Sequence, residues 1–112
     1  MSFTRGKLYF SDTSALQALD AENAAIRELP ELGVSNANIT TVTGIWKGTR
    51  EFGFVLETLD TSVEDGDTSY LPMVCKLEEL AEFLRKEFSQ TSVLVTVEVV
   101  DGRAIFVEET NK

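Results

Sequence analysis

The stretch Cys75-Lys76-Leu77-Glu78-Glu79-Leu80-Ala81-Glu82-Phe83-Leu84-Arg85-Lys86-Glu87-Phe88, continued by Val93-Leu94-Val95-Thr96-Val97-Glu98-Val99-Val100, Asp101-Gly102 and Arg103-Ala104-Ile105-Phe106-Val107, decides the fold. Leu77, Leu80, Ala81, Leu84 and Phe88 recur at the i, i+3, i+4, i+7, i+11 spacing of one helix face. Acids lead (Glu78, Glu79, Glu82) and bases follow (Arg85, Lys86), the order that the helix dipole favours. Glu82 and Lys86 form an i,i+4 pair. From Val93 onward the period is two, which predicts a strand. Asp101-Gly102 predicts a two-residue type I′ loop and a hairpin. Closed there, the hairpin sets Val99 opposite Ala104 and Val97 opposite Phe106. Val93, Val95, Val97, Val99, Ala104 and Phe106 then share the core face. Leu94, Ile105 and Val107 fall on the other face beside Thr96, Glu98 and Arg103. A strand wet on one side alternates more cleanly than this. The second face therefore reads either as scattered apolar surface or as a face covered by a partner subunit or a ligand.

Working back from this stretch, Phe3 to Phe10 reads as a first strand with Leu8 and Phe10 on one side and Lys7 and Tyr9 on the other. Ser14 with Gln17 fits a capping box opening a helix. That helix runs through Leu16, Leu19, Ile26 and Leu29, and the alanines between them let it lie close on a sheet. Pro30 ends it, and Gly33, Asn36 and Asn38 mark a loop. Ile39 to Trp46 and Glu51 to Leu59 read as two further strands around a Lys47-Gly48-Thr49-Arg50 turn. Phe52, Phe54 and Leu56 line one face of the second. Gly44 and Gly53 fall inside these strands, where glycine marks a bulge or a close backbone approach. Asp60 to Ser69 is a polar, acidic loop leading to Tyr70 and the helix described first.

The order is β-α-β-β-α-β-β in a single α+β domain over residues 1–112: a two-layer sandwich, ferredoxin-like in its first six elements, with an extra C-terminal hairpin strand. Leu8-Tyr9-Phe10, Gly44-Ile45-Trp46 and Phe88-Ser89-Gln90-Thr91-Ser92-Val93-Leu94 carry a resemblance to a family of small bacterial α+β proteins of unknown function. The resemblance implies the sandwich and supplies no activity. Members of that family are typically exported, whereas this sequence shows no signal peptide and runs on into the extra strand.

At 112 residues, with 43% apolar residues and seven phenylalanines, the chain is sized for one core. It shows no run of apolar residues long enough to span a membrane, and its N-terminus lacks an apolar leader, which points to the cytoplasm. A single cysteine excludes an internal disulfide. A net charge of −9 argues against direct contact with nucleic acid or an anionic membrane. It fits either a soluble surface or an acidic module that occupies the basic surface of a partner.

Chemistry is constrained by one absence: the sequence has no histidine, so the usual general base and the Ser-His and Cys-His pairs are missing. Cys75 beside Lys76 near a helix start is either a reactive thiol or a small buried residue. Asp60, Glu64, Asp65 and Asp67 cluster in the acidic loop, yet lack EF-hand spacing, so no metal is assigned. No phosphate-binding glycine motif occurs, and no cofactor is expected. Tyr9, Trp46 and Tyr70 are the aromatics able to show a face to a ligand. Glu57 is expected to point outward from its strand.

The reading favoured by charge and size is a non-enzymatic interaction protein: a homodimer through the sheet face of Tyr9, Leu94, Ile105 and Val107, with the acidic loop and Trp46 available to a basic protein. Its sharper form is an inhibitor of a nucleic-acid-binding host-defence protein, as small virus-encoded antagonists can be. The alternative is a small-ligand-binding protein or an enzyme with its cleft on the sheet face of a ferredoxin-like dimer.

Overall fold

The computed structural model describes residues 2–61, 70–105 and 107. Six elements follow in order: β1 (Ser2–Asp12), α1 (Ala15–Glu28), β2 (Asn38–Trp46), β3 (Thr49–Asp60), α2 (Tyr70–Glu87) and β4 (Leu94–Asp101). The four strands form one antiparallel sheet in the order β2-β3-β1-β4. Both helices lie on one side of it, α1 against β3 and β1, α2 against β4 and β1. The α+β class and the ferredoxin-like order are as the sequence implies.

Strand period sorts the two sheet faces. Thr4, Gly6, Leu8 and Phe10 of β1 with Phe54, Leu56 and Thr58 of β3 are buried on the helix side. Met73, Leu77, Leu80, Ala81 and Leu84 of α2 close over them, as the helix periodicity requires. Phe10 stacks on Phe54 with centroids 5.5 Å apart, and Phe88 meets Phe10 edge-on at 5.8 Å. Gly6 brings α2 close, because a Cβ there would collide with Leu77 Cδ1 and Met73 Sδ.

Helix α1 uses its alanines rather than its leucines. Ala18, Ala21, Ala24 and Ala25 are buried with Leu29, while Leu16, Leu19 and Ile26 are exposed. Short side chains let the helix backbone approach β3, and the longer ones have no room beneath it. The cap is also only half of the expected box. The Gln17 N–H donates to Ser14 Oγ at 3.2 Å, but the Ser14 N–H is satisfied by Asp12 Oδ1 at 2.8 Å. The Gln17 side chain turns instead to Asp12 Oδ2 and to the Phe88 carbonyl, at 3.0 and 3.1 Å. It thereby ties the start of one helix to the end of the other.

The type I′ geometry appears in a different place from the one expected. Lys47 and Gly48 both have positive φ, 50° and 78°, and close a two-residue turn with Trp46 paired to Thr49. At the expected site only Gly102 has positive φ (142°); Asp101 stays in β4, paired with Ser2. A type I′ turn needs both residues left-handed, so no tight return forms at Asp101-Gly102. Arg103, Ala104 and Ile105 carry no strand, and Phe106 with residues 108–112 lies outside the described residues. Ile105 and Val107 are exposed off the sheet, and Val99, expected in the core, is 46% exposed.

One side chain extends the sheet. Residue 36 stands in register with Leu59, two positions beyond the Asn38–Glu57 pair. There the Asn36 amide does what a strand backbone would do: Nδ2 donates to the Leu59 carbonyl at 2.9 Å and Oδ1 accepts from the Leu59 N–H at 3.1 Å. Asn36→Ala leaves both Leu59 groups without this partner and is expected to cost about 1–2 kcal/mol in urea unfolding. An unchanged midpoint would mean that water replaces the amide without loss.

Candidate functional site

The sheet side away from the helices carries the odd-numbered residues of β1 and β3 and the even-numbered residues of β2 and β4. One row across it reads Thr40, Val55, Tyr9, Leu94; the next reads Asn38, Glu57, Lys7, Thr96. The centre of this face is charged and paired. Arg5 Nη2 lies 2.6 Å from Glu98 Oε1, and Arg5 Nε lies 4.0 Å from Glu57 Oε1. Glu57 thus points outward, as its alternation with Phe54 and Leu56 requires.

Toward the β2–β3 turn the face sinks into a depression of about 210 Å³, lined among others by Tyr9, Ser11, Gly44, Trp46, Glu51 and Gly53. Its shape follows from the register. The two-residue turn sets Gly44 opposite Glu51 and Val42 opposite Gly53, so the two glycines are diagonal neighbours. Neither supplies a side chain, and the backbone becomes the floor. At Gly53 the strands come so close that a Cβ would run into the Phe10 carbonyl. At Gly44 a Cβ would meet nothing within 4 Å, so that position opens to the depression.

Chemistry at this place rests on Glu51. Its Oε2 accepts a hydrogen bond from Ser11 Oγ at 2.8 Å, which fixes the carboxylate across the β1–β3 ladder. The Trp46 indole is 64% exposed, with Lys47 Nζ 5.8 Å from its centroid. A flat ring, a carboxylate and an accessible backbone floor can together hold a small ligand that has an aromatic group and a hydrogen-bond donor or positive charge.

The residues singled out from sequence are distributed over the molecule. Tyr9 and Trp46 meet at the depression. Leu94 is the cross-strand partner of Tyr9 on the same face and is 58% exposed. Ile105 and Val107 do not join them. Asp60 ends β3 at the opposite end of the sheet, beside a separate cleft of about 400 Å³ that also takes in Lys76 and Asn36. Glu64, Asp65 and Asp67 lie outside the described residues. Cys75 is exposed on α2, away from Tyr9 and Glu57, so these three do not converge. Glu51 and Ser11 escaped sequence reading. Once the turn is placed at Lys47-Gly48, however, counting back along both strands sets Glu51 opposite Gly44.

Comparison with known proteins finds fold likeness. No protein-family model matches the chain, and no curated protein does. Among solved structures it is similar to a phage SAM lyase in its apo state, with a TM-score of 0.57 and 16% identity over 94% of this chain and 92% of that one. The phage SAM lyase in complex with S-methyl-5′-thioadenosine is similar to the same degree: TM-score 0.57, 15% identity, 95% and 93% covered. A duf3240 family protein from Shewanella baltica matches with a TM-score of 0.54 and 13% identity over 97% of each chain. At these identities the likeness concerns the fold.

Proposed function

We propose that this chain is a small-ligand-binding protein whose ligand sits in the glycine-floored depression between Tyr9, Trp46 and Glu51. The observation that carries the reading is the Glu51 carboxylate, fixed by Ser11 at 2.8 Å in a depression that Gly44 leaves open. An isolated surface carboxylate has no need of such a setting. Trp46 and Tyr9 offer apolar ring surface to a flat group, and Glu51 accepts from a hydroxyl, an amine or another cationic centre. The likeness to a phage SAM lyase, one form of which holds S-methyl-5′-thioadenosine, supplies the first probe: a thioether nucleoside with a flat base and ribose hydroxyls. Any reaction at this seat would draw on Glu51 or Tyr9, the titratable groups that line it, since the chain has no histidine. The acidic interaction module is the second reading; its support is the net charge of −9.

The test is a calorimetric titration of S-methyl-5′-thioadenosine, with S-adenosylmethionine beside it, into the wild-type protein and into Gly44→Val. Valine at 44 enters open space and favours a strand, so folding stability should hold or rise by up to about 1 kcal/mol. Binding should fall at least about tenfold, about 1.4 kcal/mol in affinity. Equal binding by the variant would place the ligand elsewhere. No binding of either compound would sink this choice of ligand class.

A further inference from the structure

We propose that the outer edge of β4 pairs with the same edge of a second copy, antiparallel about a two-fold axis through Val97; this does not rest on the ligand reading. Among the described residues β4 is hydrogen-bonded on one side only, to β1. Its sequence, Leu94-Val95-Thr96-Val97-Glu98-Val99-Val100-Asp101, has no proline and no lysine, two of the devices that keep an edge strand from pairing.

The register can be worked out from the sequence of the strand. A two-fold axis perpendicular to the sheet keeps helix side on helix side, so Leu94, Thr96, Glu98 and Val100 must oppose residues of their own set. With the axis at Val97, Leu94 faces Val100 of the second copy, Val95 faces Val99 and Thr96 faces Glu98. Every pair is apolar with apolar or polar with charged, and nearly the whole strand is used. Moving the axis to Glu98 opposes two like charges directly, which is unfavourable. The Val97 register also covers what α2 leaves bare. Val99 is 46% exposed, and the shallow groove between α2 and β4 runs along Val93 and Val95.

The other edge strand among the described residues, β2, is less suited. Its helix-side residues Thr41, Thr43 and Ile45 are exposed, Ile45 at 80%, so joining two copies there would put a bare strip in the middle of the sheet. Joining at β4 gives eight strands beneath a continuous helix layer. The open sheet face needs a partner less, since Arg5 there is already paired with Glu98 and lies 4.0 Å from Glu57.

The experiment is sedimentation equilibrium over a concentration series on the full chain, wild type against Thr96→Glu and Thr96→Lys. Thr96 is exposed, and within one chain it stands opposite Lys7. Across the proposed interface it stands opposite Glu98, twice by symmetry. Thr96→Glu should therefore weaken the dimer by roughly 2- to 30-fold, and Thr96→Lys should tighten it by a similar factor. Thermal stability of the monomer should move the opposite way, because Lys7 favours the glutamate and opposes the lysine. A monomer at every concentration overturns the proposal, whatever covers the edge instead. So does a dimer whose dissociation constant fails to separate the two variants in that order.

Discussion

Gly53→Ala is expected to lower the unfolding free energy by about 3 kcal/mol, one of the two largest effects of a single substitution proposed for this protein. Alanine's added Cβ at this position has nowhere to go. The atom it would strike is the Phe10 carbonyl, part of the backbone of the neighbouring strand, and not the end of a side chain that can swing aside. Relief requires β1 and β3 to part around Ser11, Gly53 and Phe54, and these are the two central strands of the sheet. Gly44→Ala, on the neighbouring strand and in open space, serves as the control and should be neutral or mildly stabilising. The measurement is urea unfolding of both variants at unchanged m-value, with Tm falling by roughly 10–20 °C for the first. If the two alanine variants are equally stable, the close approach at Gly53 is not real.

Phe10→Ala should cost about 4 kcal/mol. Phe10 is 2% exposed and is the ring on which two others converge, Phe54 by stacking and Phe88 by its edge. Removing it leaves a cavity bounded by the central strand and by the end of α2, where neither backbone can collapse inward without breaking the sheet. Beyond area, each aromatic pair adds about 0.5–1.5 kcal/mol. Phe10→Leu keeps most of the volume and should lose far less. A loss below about 2 kcal/mol for the alanine variant would mean that Phe88 swings into the vacated space and that the three-ring cluster is looser than its geometry implies.

How far the fold could be read in advance depends on which forces act locally. The second helix and the strand after it were legible because a 3.6-residue period and a two-residue period each fix a buried face within one element. For α1 the same logic misleads about the interior: the large apolar residues are present, yet distance to the sheet decides which side is used, and that distance is set by the alanines. The Asp-Gly turn failed for a related reason. A dipeptide can favour a left-handed pair of residues, but the pairing of Asp101 with Ser2 holds the aspartate extended and leaves only Gly102 to change direction. Of the site, the aromatic pair Tyr9 and Trp46 could be nominated from sequence. Glu51 could not be separated from eighteen other acids until the Lys47-Gly48 turn fixed the register.

The Asn36 amide makes this chain vulnerable to a slow chemical change. Hydrolysis of an asparagine amide takes up water, releases ammonia and leaves aspartate, whose side chain has nearly the same shape, together with isoaspartate where the reaction passes through a cyclic imide. At position 36 the new carboxylate would still accept from the Leu59 N–H, but it would turn a negative oxygen toward the Leu59 carbonyl, where an N–H now donates at 2.9 Å. The last rung between the loop and β3 would then change from attraction to repulsion. Aged protein should open first at this end of the sheet, around Leu59, while the depression at the other end keeps its form.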